Sequence, residues 1–170
     1  MLKKSILFLL LSVVTLCVSA QDGWYKQKIN DNVSVNFPAE VKKLNEQSYG
    51  FKDKNGVVFV VSSVDLLKIT DQDLATFNTN LETKLWMDEF VEGIAQSMKK
   101  FKFMSANKVK VKGFTAYDLK AINEEAQTNL FMKVVFVNGT SHSLTCLVPD
   151  ANKITPEIEK FLAGEIYVTK

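Results

Sequence analysis

The sequence is short of the side chains that most often carry binding chemistry. Among its 170 residues there is no arginine, so all 21 basic residues are lysines. A guanidinium group is suited to bidentate binding of carboxylates and phosphates, whereas a lysine ammonium acts as a point charge. The absence of arginine therefore argues against a clamp for phosphates, nucleotides or acids.

Histidine and cysteine are almost absent as well. His142 is the single histidine, and Cys17 and Cys146 are the two cysteines, so a zinc site built from several histidines is excluded. His142 and Cys146 lie four residues apart in one predicted strand, which separates their Cα atoms by about 13 Å. That distance is too long for a nucleophile and its base. We predict a half-exposed histidine, a small buried cysteine, and no catalytic residue, metal site or cofactor.

A hydrophobic run long enough to cross a bilayer is also missing. The apolar stretch from Ile6 to Leu16 is shorter than the roughly 20 residues that a spanning helix needs, and Ser12 and Thr15 interrupt it. What the first residues do show is the pattern of a signal peptide, with basic Lys3 and Lys4 before the apolar stretch.

The end of this segment predicts the cleavage site. Small residues at 18–20 precede polar Gln21, so we expect cleavage between Ala20 and Gln21 and a protein exported to the bacterial periplasm or secreted. A lipoprotein acylated at Cys17 is the alternative, although Leu16 stands where such signals have a small residue.

Removal of residues 1–20 changes the charge and leaves one domain. Lys3 and Lys4 depart with the signal, so 21 basic residues become 19 and balance the 19 acidic ones. A neutral chain lacks the basic footprint that nucleic acids or anionic membranes attract. Residues 21–170 are enough for a single domain with its own core.

Alternating apolar residues predict strands in the first third of the chain. We expect strands at 24–29 and 33–37, then a hairpin of 48–52 and 57–61 that turns at Asn55-Gly56. Residues 57–61 are apolar on both sides, so this strand should be covered on both faces.

A helical region follows, with Thr70 as its predicted N-cap and a long helix over residues 82–100. Apolar residues at a 3.6-residue period form one stripe of this helix, which we expect to pack on a sheet. Its members are Leu85, Met87, Phe90, Val91, Ile94, Ala95 and Met98.

The second half is predicted to be mainly strand. Residues 108–112 alternate lysine and valine, which we interpret as an edge strand protected by charge and not as an anion-binding face. Strands at 114–121, 130–137 and 140–148 follow, with a tight turn at Asn138-Gly139. Thr155 caps a short helix that ends at Gly164, before a last strand at 166–168. The predicted class is α+β, an antiparallel sheet layered with helices.

The order of these motifs resembles the PsbP/Mog1-like fold, an αβα sandwich. The resemblance covers most of residues 24–168 and rests on the segments VNFP (35–38), VKGFTAYDLKA (111–121), VVFVNGTSHSLTC (134–146) and EIEKFLAGEIYV (157–168). PsbP proteins are accessory subunits of photosystem II, and Mog1 proteins bind a small GTPase. The resemblance implies a non-enzymatic binding or accessory module.

Two functional hypotheses remain open at this point. In the first, the protein contacts another protein or an envelope component, with Trp24, Trp86 and His142 as candidate contact residues. In the second, it carries a small apolar ligand in a cavity lined by Trp24, Trp86, Phe90 and Phe131. An enzyme with an unrecognised site is a third and weaker hypothesis. Partner identity, ligand identity and oligomeric state do not follow from the sequence.

Overall fold

The computed structural model describes residues 23–164 and 166–168. The predicted signal peptide (1–20) and the cleavage point between Ala20 and Gln21 lie outside these residues. No helix in the described part has the length and apolarity needed to cross a membrane. The described strands and helices, in chain order, are β1 Tyr25–Lys28, β2 Val33–Phe37, β3 Lys42–Asn45, β4 Ser48–Lys52, β5 Val58–Asp65, α1 Leu66–Thr70, α2 Leu74–Leu81, α3 Lys84–Ser97, β6 Lys102–Val111, β7 Phe114–Asn123, β8 Thr128–Val137, β9 Thr140–Pro149, α4 Pro156–Leu162 and β10 Ile166–Val168.

The strands form two antiparallel sheets. The large sheet has seven strands in the order β3-β4-β5-β9-β8-β7-β6, and the small sheet has three in the order β1-β2-β10. Strands β6 to β9 are consecutive hairpins. Strand β5 pairs with β9, although α1 to α3 and β6 to β8 lie between them in the chain. The predicted α+β class, with an antiparallel sheet between further layers, is confirmed.

The large sheet has two faces, each with its own apolar cluster. One face lies against the small sheet and α4, and we call it the sandwich face. On it, residues such as Phe59, Leu144 and Cys146 pack against the small sheet and against Phe161 of α4. The other face lies against α1 to α3, and we call it the helical face. On it, residues such as Leu130 and Phe136 pack against these helices. The period of two along each strand sends alternate side chains to these two clusters.

The described residues cover neither face along its full width. On the helical face, Trp86 and Phe90 of α3 contact rings of β7 and β8, whereas Val60 and Thr145 of β5 and β9 are only half-buried. On the sandwich face the other half of the sheet is covered. The small sheet and α4 lie over β5 and β9, and Lys120 of β7 is left exposed.

The prediction that β5 is covered on both faces is wrong. The strand does lie inside the sheet, between β4 and β9. Phe59 and Val61 are buried on the sandwich face, but Val58 and Val60 on the other side are half-buried. The strand is therefore not covered on both faces, because the helices lie over the other half of the sheet.

The start of the helical region also differs from the prediction. Thr70 does not cap a helix: it ends α1, where its hydroxyl donates to the Leu66 carbonyl at 2.8 Å. Asp71 then takes a left-handed conformation (φ 51°), and Asp73 caps α2 by accepting from the Ala75 and Thr76 amides, each at 2.9 Å. A carboxylate serves as an N-cap as well as a hydroxyl does, so residue type alone does not favour Thr70 over Asp73.

The long helix is shorter than predicted at both ends. Thr83 is its N-cap and accepts from the Trp86 amide at 3.2 Å, so Glu82 lies before the helix. Leu85 is 69% exposed and does not belong to the apolar stripe. Trp86 lies on the stripe instead, at the helical spacing from Phe90 and Ile94.

Most of the remaining elements follow the predictions, although β6 (Lys102–Val111) begins six residues before the strand predicted at 108–112. The Asn138-Gly139 turn has positive φ at both residues, 48° and 79°, as a tight hairpin turn of this kind requires. Thr155 caps α4 and β10 follows it. Strand β3 and helix α1 were not predicted: residues 42–45 are mostly polar and show no apolar alternation, and residues 66–70 are too few to show a helical period.

Candidate binding groove

An apolar groove of about 650 Å³ lies on the open half of the helical face. We call it the α1–α3 groove, after the helices that form its two walls. It is lined by Val64, Leu66, Ile69, Thr70, Trp86, Glu89, Phe90, Gly93, Ile94, Ser97, Ser141 and Ser143.

The α3 wall is built from residues that one helical face brings together. Trp86, Phe90 and Ile94 are spaced by four residues and so lie above one another. The Trp86 and Phe90 rings stack, with centroids 5.2 Å apart and planes 12° from parallel. Both rings also contact Phe136 of β8 edge-on, at 5.6 and 5.3 Å. The wall is thereby fixed to the sheet while its outer side stays half-buried.

A buried tyrosine stabilises the position of this aromatic cluster. Tyr117 lies beneath Trp86 and Phe90, and its hydroxyl donates to the Leu81 carbonyl at the end of α2, at 2.8 Å. Burial raises the Tyr117 pKa, so the hydroxyl keeps its proton and remains a donor. The bond holds the α2–α3 corner against β7.

The opposite wall depends on a close approach between α1 and the β8–β9 turn. The Leu66 amide donates to the Gly139 carbonyl at 2.9 Å. A Cβ added at Gly139 would lie 2.3 Å from Cγ of Leu67, a distance that a real side chain cannot accept. Glycine is therefore favoured at position 139 both by the positive φ and by the packing of Leu67 in α1.

Two serines of β9 form the floor. Ser141 and Ser143 alternate with the sandwich-face residues His142 and Leu144 and so lie on the helical face. The Ser141 hydroxyl donates weakly to the Val64 carbonyl, at 3.4 Å. Among the residues that the structure describes, the Ser143 hydroxyl has no recorded partner.

The charge of the groove comes from one side chain. Within the described lining Glu89 is the ionisable residue, and no lysine lines the groove. The nearby carboxylates Asp65 and Asp88 are paired with Lys68 and Lys84. Glu89 has no salt bridge to any described residue, so it presents an uncompensated negative charge to the groove.

A second cleft, of about 440 Å³, lies on the open half of the sandwich face. We call it the charged cleft, and its lining includes Asp118, Lys120, Phe131, Lys133 and Glu159. Asp118 and Lys133 are directly opposite each other on β7 and β8 and form a 2.6 Å ion pair. The charges of this cleft thus partly neutralise one another.

The structure separates the residues that the sequence analysis grouped. Trp86 and Phe90 line the α1–α3 groove, whereas Phe131 lines the charged cleft. Trp24 packs against the sandwich-face cluster, with the Lys160 ammonium 4.6 Å from its ring centroid. His142 is on the sandwich face of β9. The large sheet therefore separates Trp86 from Trp24 and His142.

The prediction of a half-exposed His142 is wrong. The side chain is 1% exposed, because the paired strands β5 and β8 flank it and the sandwich-face cluster surrounds this side of β9. Its Nδ1 lies 2.8 Å from the Ser63 hydroxyl. Burial lowers the His142 pKa to about 4, so the ring is neutral near neutral pH.

Cys146 is buried, as predicted, and its thiol is unreactive. It is 0% exposed, and burial raises the pKa of its thiol to about 12. A thiol that holds its proton and is closed to solvent is a poor nucleophile. Within the described residues no group of three or more histidine, cysteine, aspartate or glutamate side chains could hold a metal ion.

The lysines of β6 have a partner that the sequence did not indicate. β6 is an edge strand of the large sheet, as predicted. Lys108 and Lys110 pair with Glu82 at 3.1 and 2.7 Å, and the Thr115 hydroxyl donates to the same carboxylate. These bonds lower the Glu82 pKa to about 2. The lysines therefore attach the α2–α3 corner to the sheet edge.

Sequence reasoning missed Glu89, Gly93 and Ser143 as groove residues. Glu89 and Ser143 have ordinary neighbours in the sequence, and only the tertiary fold brings them to one cavity. Gly93 did carry a signal, because a glycine inside a predicted helix needs a reason.

Comparison with known proteins supports the architecture. No protein-family model matches the sequence, and no curated protein matches it. The structure is similar to the solution structure of cyanobacterial PsbP (CyanoP) from Synechocystis sp. PCC 6803, with a TM-score of 0.60 and 10% identity over 89% of this chain and 96% of that protein. A crystal structure from Bacteroides thetaiotaomicron VPI-5482 gives a TM-score of 0.53 and 15% identity, over 85% of this chain and 48% of that one. This chain is thus similar to about half of the Bacteroides protein.

The fold is PsbP-like, as the motif order in the sequence indicated. At identities of 10% and 15%, the similarity shows a shared fold and not a shared function, because one fold serves many functions.

Proposed function

We propose that this protein is an exported, non-catalytic binding module and that the α1–α3 groove is its binding surface. One observation carries the proposal: the stacked Trp86 and Phe90, both still partly exposed, form one wall of an apolar groove of about 650 Å³. The lining is mainly apolar with a few polar side chains, which is the composition typical of binding pockets.

The absence of a catalytic role is supported by the state of the reactive side chains. His142 is enclosed on the sandwich face beside a serine hydroxyl, and Cys146 is a protonated buried thiol. The PsbP-like fold agrees with this view, since the resemblance to PsbP and Mog1 proteins implies accessory or binding roles.

Crosslinking from the groove tests the proposal. Ile69 on the groove rim is 67% exposed, and Leu85 on the outer side of α3 is 69% exposed, so they form a matched pair. A photoreactive phenylalanine analogue would replace each in turn in living cells. We expect a reproducible crosslinked species from position 69 and none from position 85. Equal products from both positions, or none from either, would contradict the proposal.

A small apolar-ligand carrier is the second candidate function. The groove volume of about 650 Å³ lies inside the range of small-molecule sites, and its few polar groups among apolar walls are typical of them. The same crosslinking experiment separates the candidates. A partner protein adds a second polypeptide to the product, whereas a carrier gains only the mass of a small molecule.

Export is tested by the mature N-terminus. We expect intact-mass measurement of the purified periplasmic or secreted protein to place Gln21 first. A diacylated Cys17 would replace the proposed cleavage with lipoprotein processing.

A further inference from the structure

Gly93 lies in the middle of α3 without a packing reason. A glycine inside a helix costs about 1 kcal/mol relative to alanine. Apart from its chain neighbours and the backbone of its own helix, no atom of the described residues lies within 4 Å of the point where a Cβ at position 93 would stand, so no described neighbour requires its absence. Gly93 lines the α1–α3 groove, and the open space is therefore available to a ligand that contacts the helix backbone.

The dimensions of the groove suit a small molecule. Its α3 wall runs from Trp86 to Ser97, which at 1.5 Å per residue is a length of about 16 Å. An extended peptide would bring a row of backbone amides and carbonyls, and the described lining offers them only a few hydroxyls. An apolar molecule carries no such backbone and needs few polar partners.

The charge of the groove selects among apolar molecules. Glu89 precedes Gly93 by four residues and lies on the same side of α3. It is the ionisable group of the described lining and has no salt bridge to a described residue. A cationic ligand group near Glu89 gains an ion pair, whereas an anionic group meets repulsion that no lysine of the lining offsets.

We propose that the α1–α3 groove binds a small amphiphile, with an apolar body packed against α3 at Gly93 and a cationic group beside Glu89. This inference rests on the proposed function, in which the groove is the binding surface. It adds the chemical class of the ligand.

Three probes of equal chain length test the class: decylamine, decanol and decanoate, used below their micelle-forming concentrations. Trp86 lines the groove and Trp24 lies on the other face, so a Trp24→Phe background leaves Trp86 as the fluorescent reporter. We expect decylamine to bind most tightly and decanoate most weakly.

Substitution of Glu89 isolates the effect of charge. Exposed ion pairs contribute about 0.2–1 kcal/mol, so Glu89→Gln should weaken decylamine binding by about 1.4- to fivefold. Decanol affinity should not change. Glu92→Gln, on an exposed position of the same helix, is the matched control and should alter neither.

Substitution of Gly93 isolates the contact with the helix backbone. Gly93→Ala places a methyl group in the groove, and we expect decylamine and decanol affinity to fall by at least about fivefold. The same change should raise the urea midpoint of unfolding, because alanine favours the helix. A protein that is more stable but binds less tightly cannot be explained by damage to the fold. Glu92→Ala should leave binding unchanged.

Each outcome bears on the inference. Equal binding of the three probes would overturn the cationic class, and unchanged affinity in Gly93→Ala would overturn the packing at Gly93. If no probe alters Trp86 fluorescence, a small amphiphile is not the ligand. Crosslinking from position 69 to a partner protein in that case would leave the proposed binding function intact, so the two failures are distinguishable.

Discussion

The two faces of the large sheet carry opposite kinds of open surface. The α1–α3 groove on the helical face is apolar and has one uncompensated carboxylate, Glu89. The charged cleft on the sandwich face contains the Asp118–Lys133 ion pair. A ligand of the cleft must compete with an ion pair that the protein already makes, whereas a ligand of the groove meets a carboxylate that has no salt bridge to a described residue. The volumes of the two cavities do not indicate which of them binds a ligand. The pairing of their charged side chains does.

Buried aromatic residues on the two faces should affect stability alike and binding differently. Phe161 on the sandwich face and Phe77 on the helical face are 1% and 0% exposed. Replacement of either by alanine should lower the free energy of unfolding by about 3–5 kcal/mol, measured by urea denaturation. Only Phe77→Ala should also weaken probe binding, because its ring supports Trp86 at 5.5 Å. Loss of binding in Phe161→Ala would remove the functional distinction between the faces.

Mild acid should act first on the sandwich face, through His142. The unfolded histidine has a pKa near 6.5 and the folded one near 4, so the unfolded state binds more protons between these values. Stability is then complete above about pH 6.5 and falls by on the order of 3 kcal/mol as the pH drops to about 4. Urea unfolding as a function of pH measures this slope. His142→Gln should abolish it; an unchanged slope would assign it to other groups.

Stronger acid should act on the helical face, through Glu82. Its pKa is lowered from 4.5 to about 2, so its stabilising contribution is present above about pH 4.5 and disappears as the pH falls towards 2. The side chain is 46% exposed, and the contribution is accordingly small. Glu82→Gln should cost about 1 kcal/mol or less at neutral pH, and added salt should reduce that difference. A loss as large as that of Phe77→Ala would show that the corner has a greater role.

Local sequence patterns predicted most of the fold but little of the groove. The Asn138-Gly139 turn, the Thr155 cap and the alternation in β2 each depend on neighbouring residues, so they could be read directly. The groove depends on Trp86, Ser143 and Ile69, which belong to different elements and meet only in the tertiary structure. The burial of His142 was missed for a related reason: alternation indicates which side of a strand a residue takes, but not what covers that side.

The long-range pairing of β5 with β9 has a consequence for how the chain folds. Strands β6 to β9 are joined by short turns, whereas β5 pairs residues such as Val58 with Leu147 and Asp65 with Thr140. Contacts between distant residues close large loops and form slowly, so we expect the hairpins to assemble before β5 joins them. The α1 wall follows β5 directly and can meet the serine floor only at that step. Pulsed hydrogen exchange should show amide protection in β7 and β8 before β5, and the groove would form last.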